Sequence, residues 1–123
     1  MGADITPTLA RKLRRPRHGV SYGIQYYMPI EVRRTEDWLR KLRDPRARAK
    51  ILVRIDRLAH GNPGDVEAVG ECISEQRIHH GPGYRVYYVQ RGTRYILLLA
   101  GGDKKRQDRD IAEAKRLASE YEE

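Results

Sequence analysis

From Ile24 to Arg33 apolar and polar residues alternate, with Ile24, Tyr26, Met28, Ile30 and Val32 on one side and Gln25, Tyr27, Glu31 and Arg33 on the other. Period two is the signature of a half-buried strand. Pro29 cannot donate to a ladder, so the strand belongs at a sheet edge or carries a bulge. The period then lengthens. Thr35 is placed to cap a first helix whose apolar stripe is Trp38, Leu39 and Leu42. Asp44-Pro45 starts a second helix, a capping side chain followed by a proline whose missing N–H costs nothing at that position. Ala47, Ile51, Ile55, Leu58 and Ala59 recur at spacings of three and four until Gly61-Asn62-Pro63-Gly64 ends the run. Two helices joined by a tight turn must lay their apolar face on another layer.

That layer is a sheet, because three strand-like runs follow. Cys72 to His79 reads as a polar strand, Tyr84 to Gln90 alternates around Val86 and Val89, and Tyr95 to Ala100 is apolar throughout. The last run is expected to be the central strand, covered on both faces. Turns at Gly81-Pro82-Gly83 and Arg91-Gly92 make the three an antiparallel meander. Ile111, Ala114, Leu117, Ala118 and Tyr121 close the chain at helical spacing. The order β-α-α-β-β-β-α is an α+β fold: a helical hairpin and a C-terminal helix on a small antiparallel sheet. Residues 24–123 form one domain in this reading. Residues 1–23, with five Arg and Lys against Asp4 and no apolar period, read as a disordered basic arm.

Composition narrows the partners. At 123 residues the chain is one domain in size, and its net charge of +8 suits a polyanion or an acidic protein better than a neutral metabolite. Cys72 is the single cysteine, which excludes an internal disulfide and points to a reducing cytoplasm. No run approaches the length of a membrane span, and no apolar secretory core is visible near the N-terminus.

The residues Trp38-Leu39, Leu42, Asp44, Ala47-Arg48, Arg57-Leu58, Gly61-Asn62, Gly64-Asp65, Val69-Gly70, Glu75 and Arg77-Ile78 precede three denser runs. These are Gly81-Pro82-Gly83-Tyr84-Arg85-Val86-Tyr87-Tyr88, Leu97-Leu98-Leu99 and Gly101-Gly102-Asp103-Lys104. Together they resemble the phage Gp49-like branch of the RelE/HigB toxin superfamily, the addiction-module killer proteins, over about residues 28–123. The resemblance implies a helical hairpin on a small antiparallel sheet. It also implies the toxin of a type II toxin–antitoxin system, a ribosome-dependent mRNA endoribonuclease that inhibits translation. The partners implied are the ribosome, its message and a cognate antitoxin of the helix-turn-helix, HigA-like kind. No cofactor and no metal are expected.

Metal-independent RNA cleavage uses the neighbouring 2′-hydroxyl as nucleophile. The protein must help deprotonate it, neutralise the developing phosphorane and protonate the leaving 5′-oxygen. Parity puts Ile73, Glu75, Arg77 and His79 on one face of their strand, and Arg85, Tyr87, Val89 and Arg91 on one face of the next. If the Gly-Pro-Gly turn pairs His80 with Tyr84, His79 lies opposite Arg85 and Arg77 opposite Tyr87. Arg77, His79, Arg85 and Tyr87 then form a basic, aromatic-bearing patch on the face away from the core. By the resemblance, Arg85 stands where the family carries a functional arginine, and its guanidinium fork matches phosphate oxygens. Arg77 is the second choice. Lys104 stands where the family presents another basic residue to the scissile phosphate, and Asp103 either orients a base or caps the turn before the last helix.

Lys105 and Arg106 extend the positive surface, and Tyr87 and His80 complete the RNA-binding set. His79 and His80 are candidates for proton transfer, since an unperturbed histidine titrates at about pH 6.5, but paired histidines in a turn also serve as solvent-facing spacers. His60, at a helix C-terminus, reads instead as a partner of the helix dipole. Some relatives in the superfamily carry a tyrosine or histidine in the last helical region, where this chain has Asp110-Ile111, so the general base stays open. Two other readings fit the same residues: a ParE-like poison of DNA gyrase with the same fold and no catalysis, and a plain nucleic-acid-binding module.

Overall fold

A computed structural model describes residues 28–121. The basic arm of residues 1–23 and the first part of the expected opening strand, residues 24–27, lie outside the described residues. The elements are β1 (Ile30–Val32), α1 (Thr35–Lys41), α2 (Pro45–Ala59), β2 (Val66–Gly70), β3 (Ile73–Ile78), β4 (Tyr84–Arg91) and β5 (Tyr95–Asp103). A 3-10 turn (Lys104–Arg106) then leads into α3 (Gln107–Glu120). The fold is α+β, and the sheet has the order β1-β5-β4-β3-β2.

The local signals account for most of this. Asp44 Oδ1 accepts from the backbone N–H of Arg46 at 2.9 Å and of Ala47 at 3.3 Å, with Pro45 opening α2. At its other end Gly61, with φ of 89°, lets the Gly61 N–H reach the Leu58 carbonyl and the Asn62 N–H reach that of Arg57. His60 sits at this C-terminus, with Nδ1 2.8 Å from the Asp56 carbonyl oxygen. β1 is an edge strand, as the preceding Pro29 requires. Thr35 differs from expectation: it is the first residue of α1, fully buried, and Arg34 takes the cap position without a side-chain bond.

Two features of the sheet also differ. β1 runs parallel to β5, with Ile30 opposite Ile96, so the sheet is mixed. An additional strand, β2, pairs antiparallel with β3. The connecting turn carries Glu71 and Cys72 at φ of 53° and 64°. A two-residue hairpin that needs left-handed backbone is normally announced by Asn-Gly or Asp-Gly; here two ordinary residues occupy it, so the hairpin leaves no mark in the sequence. β5 lies inside the sheet and is covered on both faces, while the middle position belongs to β4.

The sheet divides two cores. On one face α1 and α2 bring Leu39, Ile51, Ile55 and Leu58 onto Ile78, Val86, Tyr88, Ile96 and Leu98. On the other, α3 sets Ala114, Leu117 and Ala118 against Ile73, Tyr87, Val89, Leu97 and Leu99. Consecutive residues of β5 therefore serve opposite cores, which is why its sequence is apolar without alternation.

Candidate active site

β3 and β4 pair with Arg77 opposite Arg85 and Glu75 opposite Tyr87. The expected register was two residues different, because the connection spans residues 79–83 rather than a tight turn. Gly81 and Gly83 hold φ of 56° and 83° in it, and the Gly83 N–H bonds the His80 carbonyl. A two-residue offset preserves parity, so Glu75, Arg77, Arg85 and Tyr87 still share a face. That face is not turned away from the core. α3 covers it, and a second correction follows: Tyr87, expected on an open RNA-binding surface, is fully buried, and Arg85 is only 7% exposed. The helix must bury its own apolar stripe, and Ile73, Val89, Leu97 and Leu99 offer the matching surface.

At the other end of this face Arg77 keeps 30% of its side chain exposed beside the almost enclosed Arg85. There an open cleft of about 550 Å³ is lined by Arg77, His79, His80, Gly81, Pro82, Gly83, Arg85 and Lys104. Five of the nine expected site residues, Arg77, His79, His80, Arg85 and Lys104, thus meet in one place. The Lys104 N–H bonds the Gly83 carbonyl at 2.8 Å and fastens the histidine loop to the end of β5. Asp103 takes the capping role: its Oδ1 accepts from the Arg106 N–H at 3.3 Å. Lys105 and Arg106 are exposed and line, with Lys104, Gln107, Asp108 and Arg109, a second hollow of about 330 Å³ at the start of α3.

Glu75 organises the floor. Its fully buried carboxylate accepts from Arg77 Nε at 2.9 Å, the Tyr87 hydroxyl at 2.9 Å and Gln107 Nε2 at 2.8 Å. Burial pushes this carboxyl up, but the hydrogen bonds from Arg77, Gln107 and Tyr87 outweigh it and hold Glu75 below the usual carboxylate range. Burial and the bond to Glu75 both push the Tyr87 phenol well up, so it stays a neutral donor.

The two arginines are not equivalent. Arg77 is also paired with Glu67 and spends its guanidinium on two carboxylates. Arg85 stands 3.9 Å from Glu75, its Nε is buried without a hydrogen bond, and Nη1 makes one long contact to the Tyr84 carbonyl at 3.4 Å. A buried guanidinium with donors to spare is poised for an incoming anion.

Each histidine faces a carboxylate. His79 Nε2 lies 2.5 Å from Asp65 Oδ2, out in solvent, and His80 Nε2 lies 3.1 Å from Asp44 Oδ2 in a half-buried setting. Glu75, Gln107, Asp65 and Asp44 were not among the expected site residues. Asp44 was visible only as a helix cap and Glu75 only as a residue on the same strand face as Arg77; nothing in the sequence pointed to Gln107. Among the described residues no three His, Cys, Asp or Glu side chains are grouped to hold a metal ion.

The model of the family described as phage derived protein Gp49-like matches residues 37–121. The chain belongs to the Gp49-like family. Its members are addiction-module killer proteins of the RelE/HigB type, toxins of toxin–antitoxin modules, and membership implies an antitoxin partner. The chain is similar to an uncharacterized protein of Haemophilus influenzae, 48% identical over 96 residues that cover 76% of this chain and 97% of the relative. No solved structure matches. No helix among the described residues of this Gp49-like protein is long and apolar enough to cross a membrane. The glycines of its Gly101-Gly102-Asp103-Lys104 run have a steric reason: a Cβ on Gly101 would enter the Trp38 ring, and one on Gly102 would strike the Asp110 carboxylate.

Proposed function

We propose that this Gp49-like toxin is a metal-independent endoribonuclease that cuts messenger RNA on the ribosome. The observation that carries the reading is the convergence of Arg85, Lys104 and two histidines on one cleft at the open end of the sheet. Arg85 takes two phosphate oxygens in its fork and Lys104 adds a point charge, so both stabilise the dianionic phosphorane more than the monoanionic diester. Arg77, held between Glu67 and Glu75, braces the cleft wall beside them. Lys105 and Arg106 guide the neighbouring backbone, and Asp103 keeps the turn that presents Lys104. A histidine of the cleft takes the proton of the 2′-hydroxyl. The 2′-oxygen attacks phosphorus, the P–O5′ bond breaks, and the products are a 2′,3′-cyclic phosphate and a 5′-hydroxyl.

The cleft is open and grips one phosphate, so alignment of the 2′-hydroxyl must come from elsewhere, and the ribosome provides it. The deciding experiment maps RNA ends after adding purified protein to translating ribosomes and to free message. Cleavage is expected on ribosomes, with little on free RNA, and Arg85→Ala is expected to slow it about 10²–10³-fold, the usual cost of a lost transition-state donor. Growth arrest with intact message would overturn the reading, and efficient cutting of free RNA would overturn its ribosome dependence.

A further inference from the structure

Two histidines line the cleft, each paired with an aspartate outside that lining, and they differ in how firmly they are held. The His79 side chain is 72% exposed, while the two aspartates are alike, Asp65 at 46% and Asp44 at 44%. His80 is 23% exposed, and its ring stacks on Tyr84 with centroids 6.4 Å apart. Tyr84 in turn meets Trp38 edge-on at 6.0 Å. Asp44 is fixed independently: Oδ1 caps α2 through two backbone N–H groups, which leaves Oδ2 for His80. One aspartate thus joins the start of a fifteen-residue helix to the cleft wall.

The hydrogen bond from His80, followed by that from the Ala47 N–H, holds Asp44 below the usual carboxylate range. An ionised carboxylate only accepts, so Nε2 of His80 carries the proton and the lone pair of the neutral ring resides on Nδ1. The groups around the ring are Asp44 at the start of α2, Tyr84 and Arg85 on β4, Arg77 on β3, His79 beside it and Lys104 after β5.

We propose that His80, oriented by Asp44, is the general base of the RNA cleavage, and that Asp44 is its positioning residue. This rests on the ribonuclease reading above. Nδ1 accepts the proton of the 2′-hydroxyl as the 2′-oxygen bonds to phosphorus. Asp44 stabilises the imidazolium that results, as the P–O5′ bond breaks and the leaving oxygen takes a proton from water. The imidazolium then returns its proton to the hydroxide so formed, which restores the neutral ring. Asp44 therefore has two separable jobs, because an asparagine still accepts the cap hydrogen bonds but cannot balance an imidazolium.

The test measures ribosome-dependent cleavage across pH for the parent and for His80→Gln, His80→Ala, His79→Gln, Asp44→Asn and His60→Gln, the last being a control at the far end of α2. His80→Gln is expected to lower the rate about 10²–10⁴-fold. Added imidazole should restore part of the activity of His80→Ala. Asp44→Asn should lose about tenfold or more while its melting temperature stays near that of the parent. The acid limb of the parent's pH profile should vanish in His80→Gln, and His60→Gln should match the parent.

Full activity in folded His80→Gln, or loss in His79→Gln with His80→Gln intact, overturns the proposal and leaves the ribonuclease reading standing. If the His80 variants do not fold, Asp44→Asn decides alone, and parental activity in it overturns the proposal. A parent that cuts no message on ribosomes overturns both.

Discussion

Gly101 shows how much a single missing Cβ can support. The Trp38 ring lies against the Gly101 backbone, Tyr84 meets Trp38 edge-on, and His80 stacks on Tyr84. Alanine at position 101 would have to push a bulky ring, not a flexible tip, so Gly101→Ala is expected to destabilise the protein by about 1–3 kcal/mol in urea unfolding. Gly102→Ala should cost less, since the atoms it meets end the Asp110 side chain. The reverse order would mean that Trp38 yields more easily than the packing suggests. Arg85 differs from a surface arginine in a related way. Because it is almost enclosed, truncation removes packing as well as charge. Arg85→Lys separates the two: charge is kept and the fork is lost, so cleavage should fall while thermal stability changes little. Retained activity would show that a point charge is enough.

At the scale of elements, β3, β4 and α3 are joined by one carboxylate. Tyr87 and Gln107 both donate to Glu75 Oε2, while Arg77 takes Oε1. Tyr87→Phe leaves that charged acceptor short of a donor and is expected to cost about 1–3 kcal/mol at neutral pH. The pH dependence has a definite sign. Glu75 titrates lower in the folded protein than in the unfolded chain, so its contribution is complete above the unfolded carboxylate range and is lost as pH falls through the folded value. The deficit of Tyr87→Phe should therefore shrink in acid, and Glu75→Gln should flatten the acid side of the stability curve. A deficit that stays constant as pH falls through the carboxylate range would place the effect in packing rather than in the charge.

For the whole molecule, the net charge of +8 acts through its placement. Lys104, Lys105, Arg106 and Arg109 continue the positive lining of the cleft onto the start of α3. If about three phosphates are neutralised, binding to ribosome-bound message should weaken about 10–20-fold between 50 and 200 mM salt. A flat response in a pelleting assay would assign the charge to another role. The same surface explains why an antitoxin should be acidic where it meets the toxin. Co-expression with the product of the adjacent gene should give a complex that survives moderate salt and no longer cuts message.

Helix α2 was legible because Asp44-Pro45, a three-four apolar spacing and Gly61 are local signals written within a few residues of where they act. The same holds for α3 and for the two-faced apolar run of β5, and the glycine pair before Asp103-Lys104 marked one side of the cleft. Contacts made across the chain were decided only by folding. Period two shows that Arg85 and Tyr87 share a face, but which layer covers that face depends on where α3 docks. The pairing of Arg77 with Arg85 followed from the path of the loop over residues 79–83. The β2–β3 hairpin hid behind a turn of ordinary residues in left-handed backbone. The bond between Asp44 and His80 spans 36 positions and two layers. Periodicity reports which side of an element is apolar; distances between polar groups on different elements are set by packing, and it is those distances that make a cluster of charges into a site.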